Sequence, residues 1–85
     1  MLSLVNVVWY DGVDSFVSKF VLETVNNQVT TSSRVKVENY LKGNGELLKL
    51  DVLYKVSLDN IVAFKGSDDD ELQVAYQRFD TMYFD

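Results

Sequence analysis

The sequence predicts a small α+β domain, with an antiparallel sheet of about four strands and with a short middle helix and a C-terminal amphipathic helix on one face. Three observations support this prediction. Glu46 to Leu58 alternates apolar and mostly polar side chains at the period of a strand. Two apolar segments, Leu2 to Tyr10 and Ser15 to Val25, flank a glycine-containing turn. Residues 72–83 instead repeat apolar side chains at helical spacing.

Length and composition predict one cytoplasmic domain covering residues 1–85. Hydrophobic residues make up 47% of the chain, which is enough for a core and excludes the low hydrophobicity of disordered proteins. The absence of cysteine excludes a disulfide framework and fits a reducing compartment. No apolar run approaches the roughly 18 residues of a membrane span, and the first residues lack the basic region of a signal peptide.

The strand prediction gives Glu46–Leu58 the central, half-buried position. Its apolar residues would line one face of the sheet: Leu48, Leu50, Val52, Tyr54, Val56 and Leu58. Leu2–Tyr10 is apolar on both faces and is therefore also predicted to be an inner strand. Asp11 to Asp14 forms a turn signal around Gly12, so the first two strands should form a hairpin.

A second hairpin is predicted after the central strand. Asp59 and Asn60 both tolerate the left-handed region, so they can form a two-residue turn that leads into a fourth strand, Ile61 to Lys65. This pairing would place three apolar side chains together on the outer face of the sheet: Leu53, Val62 and Phe64. Such a patch requires a cover or a partner, and self-association is one possibility.

A middle helix is predicted from Ser33 to Lys42, with N-cap candidates between Thr30 and Ser33 and a stop at Gly43 to Gly45. The alternation of residues 34–37 allows a strand as the competing interpretation.

The C-terminal helix is predicted from Ser67 to Asp85. Ser67 would cap it, with Asp70 in the capping-box position. The acidic first turn favours the helix dipole. A strand from Leu72 to Phe79 is the alternative.

The residue types predict a protein without enzymatic activity and without a cofactor. Histidine and cysteine are absent, which removes the usual general base, nucleophile and metal ligands. The chain contains no glycine-rich phosphate-binding motif. The acidic run Asp68 to Glu71 lacks the spacing of a calcium loop, so a solvated helical turn or a protein-binding patch explains it better.

The charge distribution points to a basic protein partner. Residues 1–67 are neutral overall, with seven acidic and seven basic side chains, whereas residues 68–85 hold six carboxylates and one arginine. An acidic end repels nucleic acid and attracts basic protein surfaces. The candidate partner-binding residues are the acidic run, two aromatics beside the turn and two residues of the predicted outer patch: Asp68, Asp69, Asp70, Glu71, Trp9, Tyr10, Leu53 and Phe64.

An alternative nucleic-acid-binding surface is predicted on the middle helix. Arg34, Lys36 and Lys42 could contact phosphates, and Tyr40 could stack on a base. An ordinary exposed helix face is the simpler interpretation of the same residues.

The N-terminal half resembles the small antitoxin proteins of T4-like phages, the group that includes Dmd and TifA. The residues that carry this resemblance are Leu4 to Tyr10, the turn, Phe16 and Lys19 in the second strand, and the helix after a polar break. The likeness is a pattern of hydrophobicity without a diagnostic motif, and it assigns no functional residue. It implies a phage protein that binds and blocks a bacterial toxin endoribonuclease in the host cytoplasm during infection.

This implication agrees with the charge distribution. An RNA-cleaving enzyme presents a basic site for phosphates, and an acidic protein can reach such a site quickly by electrostatic steering. We therefore expect an inhibitor of a toxin endoribonuclease from a toxin–antitoxin defence system. The alternatives are an inhibitor of another defence enzyme, such as a CRISPR effector, and a small RNA-binding module.

Overall fold

The computed structural model describes residues 1–84 and confirms the α+β class. The chain folds in the order β1 (Leu2–Tyr10), β2 (Ser15–Val25), β3 (Gln28–Val29), α1 (Thr31–Leu41), β4 (Glu46–Val56), α2 (Leu58–Lys65) and α3 (Asp70–Phe84). The strands form one antiparallel sheet in the order β3-β2-β1-β4. The predicted end of the last helix at Asp85 lies outside the described residues. Within residues 1–84, the helices are too short or too polar to cross a membrane.

The first hairpin forms with the predicted bounds. Tyr10 of β1 faces Ser15 of β2, so the connecting turn comprises residues 11–14. The carboxylate of Asp11 accepts hydrogen bonds from the backbone N–H groups of Val13 and Asp14, each at 2.8 Å. Gly12 has a φ of 102°, which glycine adopts without steric cost.

The central strand is β1 and not β4. β1 lies between β2 and β4, as its two apolar faces predict, whereas β4 is at the edge of the sheet, so the prediction of a central strand at residues 46–58 is wrong. Two irregularities in the β1–β4 register leave Leu48 and Leu53 without a partner in β1. An extra residue on one strand reverses the alternation that follows it. The predicted single apolar face is therefore divided between both faces of the sheet.

Two hydrophobic clusters lie on opposite faces of the sheet, because successive side chains of β1 point in opposite directions. Leu4 belongs to a cluster that is covered by α2 and α3, with Val21, Val56, Ile61, Phe64, Ala75 and Phe79. Val5 belongs to a second cluster that is covered by α1, with Val7, Phe20, Leu22, Val37 and Leu41. The prediction that the helices share one face is therefore wrong, since β1 is apolar on both faces and needs a cover on each.

The predicted fourth strand, Ile61 to Lys65, is helical and belongs to α2. The Ser57 hydroxyl accepts a hydrogen bond from the Asn60 N–H, and the Asn60 side chain accepts one from the Ser57 N–H, each at 3.2 Å. This capping box begins a helix where a hairpin turn was predicted. The remaining strand of the sheet is the short β3, which follows Asn26 and Asn27 in left-handed conformations.

The middle helix is confirmed at α1. Thr30 caps it by accepting a hydrogen bond from the Ser33 N–H at 3.2 Å. It ends at Leu41, whose carbonyl accepts hydrogen bonds from the N–H groups of Asn44 and Gly45.

The C-terminal helix is confirmed at α3, with a different cap. The Asp69 carboxylate accepts a hydrogen bond from the Glu71 N–H at 2.9 Å, whereas the Ser67 hydroxyl accepts one from the Asp69 N–H. Asp69 therefore caps α3 in place of the predicted Ser67, because the helix begins at Asp70.

α3 covers the outer edge of β2 with polar side chains. The Arg78 guanidinium donates to the Lys19 carbonyl at 3.0 Å. The Glu23 N–H donates to the Tyr83 hydroxyl at 3.0 Å, and that hydroxyl also contacts the Ser33 hydroxyl of α1. These bonds satisfy backbone groups that an open strand edge would expose.

We expect Tyr83→Phe to lower the free energy of unfolding by about 0.5–1.5 kcal/mol, because the Ser33 hydroxyl and the Glu23 N–H lose the Tyr83 hydroxyl and keep only their mutual hydrogen bond of 3.3 Å. Urea unfolding measures the change. Tyr54→Phe on the exposed surface of β4 is the matched control and should change stability little. Equal effects of the two substitutions would show that the Tyr83 hydroxyl does not stabilise the fold.

Candidate protein-binding surface

The acidic run lies next to the β1–β2 hairpin. The start of α3 and the first half of β2 line a shallow cavity of 230 Å³, to which Asp70, Glu71, Val17 and Lys19 contribute. Since β2 leaves the hairpin turn at Ser15, the N-terminus of α3 lies at the end of the sheet that carries this turn. Two groups of carboxylates, those of the hairpin turn and those at the start of α3, therefore lie at this end of the molecule, and we call them the acidic end: Asp11, Asp14, Asp68, Asp69, Asp70 and Glu71.

The nearest cations neutralise only part of the acidic end. Lys19 forms an ion pair with Glu71. The Arg78 guanidinium lies 4.9 Å from the centre of the Phe20 ring and is hydrogen-bonded to the backbone of β2. The other five carboxylates are on exposed residues, so this end of the molecule carries a negative potential.

The charge of Asp11 is maintained by the turn itself. Hydrogen bonds from the backbone N–H groups of Asp14 and Val13 hold the pKa of the Asp11 carboxyl below its usual value. The carboxylate therefore stays ionised at pH values that protonate an ordinary aspartate. Asp11 keeps contributing negative charge to the acidic end as the solution is acidified.

Exposed apolar side chains occupy the same end of the molecule. Val13 at the tip of the hairpin is 80% exposed, and Val17 on β2 is 61% exposed. The aromatic rings of Tyr10 and Phe16 are also accessible to solvent. Apolar side chains surrounded by charged ones are the usual anatomy of a protein–protein interface.

Trp9 packs against the exposed ring of Phe16 on one face of the hairpin, whereas Tyr10 and Val17 point to the opposite face. Its ring is half-buried and lies 4.8 Å from the Phe16 ring, centre to centre, and its indole N–H donates to the Ser18 hydroxyl at 3.0 Å. The Tyr10 hydroxyl donates to the Gly12 carbonyl at 2.9 Å. Sequence reasoning selected the two β1 aromatics but missed Phe16, whose position opposite Trp9 depends on the hairpin register.

The other two predicted partner-binding residues do not belong to this surface. Phe64 is buried in the cluster under α2 and α3, so the prediction that it binds a partner is wrong. Leu53 is exposed, but it lies in the second half of β4, away from the hairpin. The predicted outer patch fails to form because residues 61–65 are helical and turn Phe64 inward.

The candidate nucleic-acid-binding residues do not form one exposed surface. The Lys36 ammonium donates to the Met82 carbonyl at 3.3 Å and lies over the Tyr83 ring, so this charge is already in contact with α3. Tyr40 packs edge-on against Phe20, 5.5 Å between ring centres. Arg34 faces a separate cleft of 380 Å³ between β3 and β4, and Lys42 lies beyond the end of α1.

Comparisons with known proteins assign no family. No protein-family model, curated protein or solved structure matches this chain. Among residues 1–84, no group of three or more histidine, cysteine, aspartate or glutamate side chains is placed to hold a metal ion.

Proposed function

We propose that this protein inhibits a basic, nucleic-acid-handling bacterial enzyme by binding it through the acidic end. A toxin endoribonuclease is the target that the resemblance to phage antitoxins implies. The observation that carries the proposal is the coincidence of exposed carboxylates and exposed apolar side chains at one end of the molecule.

The two kinds of side chain have different roles in such a complex. A ribonuclease binds phosphates with lysine and arginine, so its active site attracts an acidic protein as it attracts RNA. The carboxylates of the acidic end accelerate association with that site. The exposed residues Tyr10, Val13, Phe16 and Val17 bury apolar surface after contact and slow dissociation. Occupation of the phosphate-binding site blocks the enzyme without any chemistry by the inhibitor.

The target class is identified first. This protein is co-expressed in turn with each member of a panel of bacterial toxin endoribonucleases. It is also co-expressed with a CRISPR effector, which represents the competing target class. The proposal predicts restored growth and recovery of a stoichiometric complex with a toxin. If the protein binds only the CRISPR effector, the acidic end is still the inhibitory surface, but the target is a CRISPR effector and not a toxin. Failure to bind any member would contradict the proposal.

We expect the triple variant Asp14→Asn, Asp68→Asn, Asp70→Asn to reduce the rate of association with the captured toxin by about tenfold or more at low salt. These three exposed side chains are neither the cap of α3 nor the hydrogen-bond acceptor of the turn, so the fold should be retained. The effect should shrink as salt is added, because screening removes the steering force. Surface-binding kinetics measured across a salt series test this prediction.

A matched control removes the same charge elsewhere. The triple variant Glu38→Gln, Asp59→Asn, Asp80→Asn has the same net charge as the acidic-end triple variant, but it leaves the acidic end intact. It should associate nearly as fast as the unmodified protein. If the two triple variants associate at the same rate, net charge and not the acidic end governs binding.

A further inference from the structure

A cleft of 380 Å³ lies between β3 and β4, and we call it the β4 cleft. Residues 27–29 line one side, residues 50–52 line the other, and Arg34 of α1 completes the lining. Leu50 and Val52 belong to the cluster beneath α1, so the cleft opens on the α1 face of the sheet. Its volume is within the range of about 300–1,000 Å³ that is typical of ligand sites. The carboxylates of the acidic end do not line it, so the β4 cleft is a separate site.

β4 reaches this cleft with its backbone edge. Lys49 and Asp51 form an ion pair of 3.3 Å on one face of the strand. Leu50 and Val52 alternate with them and point to the other face, which is the face of the cleft. Asp51 lines the cleft as well, so it contributes backbone atoms there. Within residues 1–84, the outer edge of residues 49–52 pairs with no other strand and receives no hydrogen bond from a turn or loop, so its N–H and C=O groups are open to an added strand.

The regular part of this edge is short. Register irregularities leave Leu48 and Leu53 without partners in β1, and such bulges bend and twist the strand that contains them. Only residues 49–52, which lie between the two bulges, pair with β1 without interruption. The edge therefore fits a short extended segment, such as the end of a protein chain, better than a long strand or the whole β4 of a second copy.

Arg34 brings an available positive charge to the same cleft. Its side chain is exposed, and within residues 1–84 no carboxylate and no aromatic ring engages its guanidinium. The other arginine, Arg78, is by contrast bound to the backbone of β2 and packed on Phe20. A guanidinium binds a carboxylate through two parallel hydrogen bonds. Since Asp51 is already paired with Lys49, the carboxylate that suits Arg34 is that of a ligand.

We propose that the β4 cleft binds the C-terminal residues of another protein chain. These residues add a short strand to residues 49–52, and their terminal carboxylate pairs with Arg34. Main-chain hydrogen bonds to β4 provide affinity, and every second side chain of the added strand packs on Val29, Leu50 and Val52. This site is independent of the acidic end and of the identity of its target.

Charge favours a peptide over a nucleic acid at this site. The whole chain has a net charge of −5, which repels a strand of phosphates. A peptide terminus brings a single carboxylate, which one arginine neutralises, and its backbone matches that of a strand edge. A nucleic acid has no groups with the spacing of a β-ladder.

A peptide array tests the ligand class. Hexapeptides randomised at their last four positions are attached through their N-termini, each once with a free C-terminal carboxylate and once as the C-terminal amide. The protein should bind a subset of the free carboxylates and should bind each corresponding amide roughly tenfold more weakly, because the amide lacks the charge-assisted bonds to Arg34. A hexamer of uridylate RNA on the same array represents the competing class. Absence of peptide binding, equal binding of carboxylates and amides, or a preference for the RNA would overturn the proposal.

Two substitutions of exposed cations test the role of Arg34. With a peptide selected from the array, Arg34→Gln should bind the carboxylate and the amide equally. Lys42→Gln, just beyond α1, is the matched control because it removes the same charge, and it should keep the tenfold preference. Circular dichroism confirms that both variants are folded. If Arg34→Gln keeps the preference, or if Lys42→Gln loses it, the assignment of the carboxylate to Arg34 is wrong.

Amide hydrogen exchange tests the added strand by a readout that does not depend on charge. The bound peptide should slow the exchange of backbone N–H groups within residues 49–52 and leave those of the hairpin turn at residues 11–14 unchanged. N-methylation of alternate backbone amides of the peptide, on the side that faces β4, should abolish binding because it removes the ladder hydrogen bonds. Binding without protection of β4, or unchanged binding of the methylated peptide, would overturn strand addition.

Discussion

Phe79→Ala is expected to lower the free energy of unfolding by about 3–5 kcal/mol, the cost of truncating a buried aromatic side chain. Phe79 of α3 is only 7% exposed and belongs to the cluster that joins α3 to α2 and to the sheet. Its ring centre is also 5.1 Å from that of Tyr83. Removal of the ring would leave a cavity where three elements meet. For a domain of 85 residues this is a large share of a typical stability of 5–15 kcal/mol.

Urea unfolding of Phe79→Ala and Phe84→Ala provides a matched comparison. Phe84 is on the same helix and its ring packs edge-on against Phe79, 5.5 Å between ring centres, but it is 72% exposed, so its truncation should lower the unfolding free energy by only about 0.5–1.5 kcal/mol. If the two variants lost equal stability, the cluster beneath α3 would not be the core that the structure indicates.

The helical spacing of residues 72–83 was sufficient to place Phe79 in the core, but its neighbours could not be predicted. The predicted strand put Leu48, Leu50 and Val52 on one face together with Val56, and the C-terminal helix was expected to lie on one face of that sheet. The structure places Phe79 with Val56, because the extra residue Leu53 reverses the alternation of β4. This irregularity results from the pairing of β4 with β1 and has no local signature in β4. Strict alternation in the sequence therefore predicted the strand correctly and its single apolar face incorrectly.

The error at α2 has a different cause, because a local signal was available. Ser57 and Asn60 have the spacing of a capping box, and Ile61 and Phe64 have the spacing of a buried helix face. The dipeptide Asp59-Asn60 also fits a hairpin turn, and the β-branched residues after it favour a strand. Helix and strand signals thus competed over a short segment, and the reciprocal cap decided in favour of the helix.

The charges of the acidic end could be predicted from the sequence, but their arrangement could not. The run at residues 68–71 is visible in the sequence, but its position at the same end of the sheet as Asp11 and Asp14 requires that α3 dock along β2. Two of the contacts that hold that arrangement join distant parts of the chain. The ion pair of Lys19 with Glu71 spans 52 residues, and the hydrogen bond of Arg78 to the Lys19 carbonyl spans 59 residues. Composition could identify the charge, whereas tertiary packing determines where it is presented.

Gly45→Ala is expected to destabilise the protein by about 1–3 kcal/mol through overpacking. A Cβ atom at this position would lie 2.8 Å from the Tyr10 carbonyl oxygen and would clash with the Trp9 ring. The ring would have to move, although it is packed against Phe16 and hydrogen-bonded to Ser18. Trp9 is the one tryptophan of the chain, so its fluorescence reports both the displacement and the unfolding transition.

Gly66→Ala is the matched control for this substitution. A Cβ atom at Gly66 meets no atom within 4 Å, and the φ of −103° is accessible to alanine. Its stability should be unchanged or higher by about 0.4–1 kcal/mol, because alanine restricts the unfolded chain. Equal stability of the two variants, with unchanged tryptophan fluorescence, would contradict the close approach of Gly45 to Trp9.

Gly45→Ala also separates the two roles that we assign to the acidic end. The substitution disturbs the support of Phe16 but leaves every carboxylate in place. Under the proposed function, the complex with the target should therefore dissociate faster, while the rate of association and its salt dependence stay the same. The carboxylate triple variant should show the reverse pattern. Loss of association rate in Gly45→Ala would mean that the apolar residues of the hairpin also guide the first encounter.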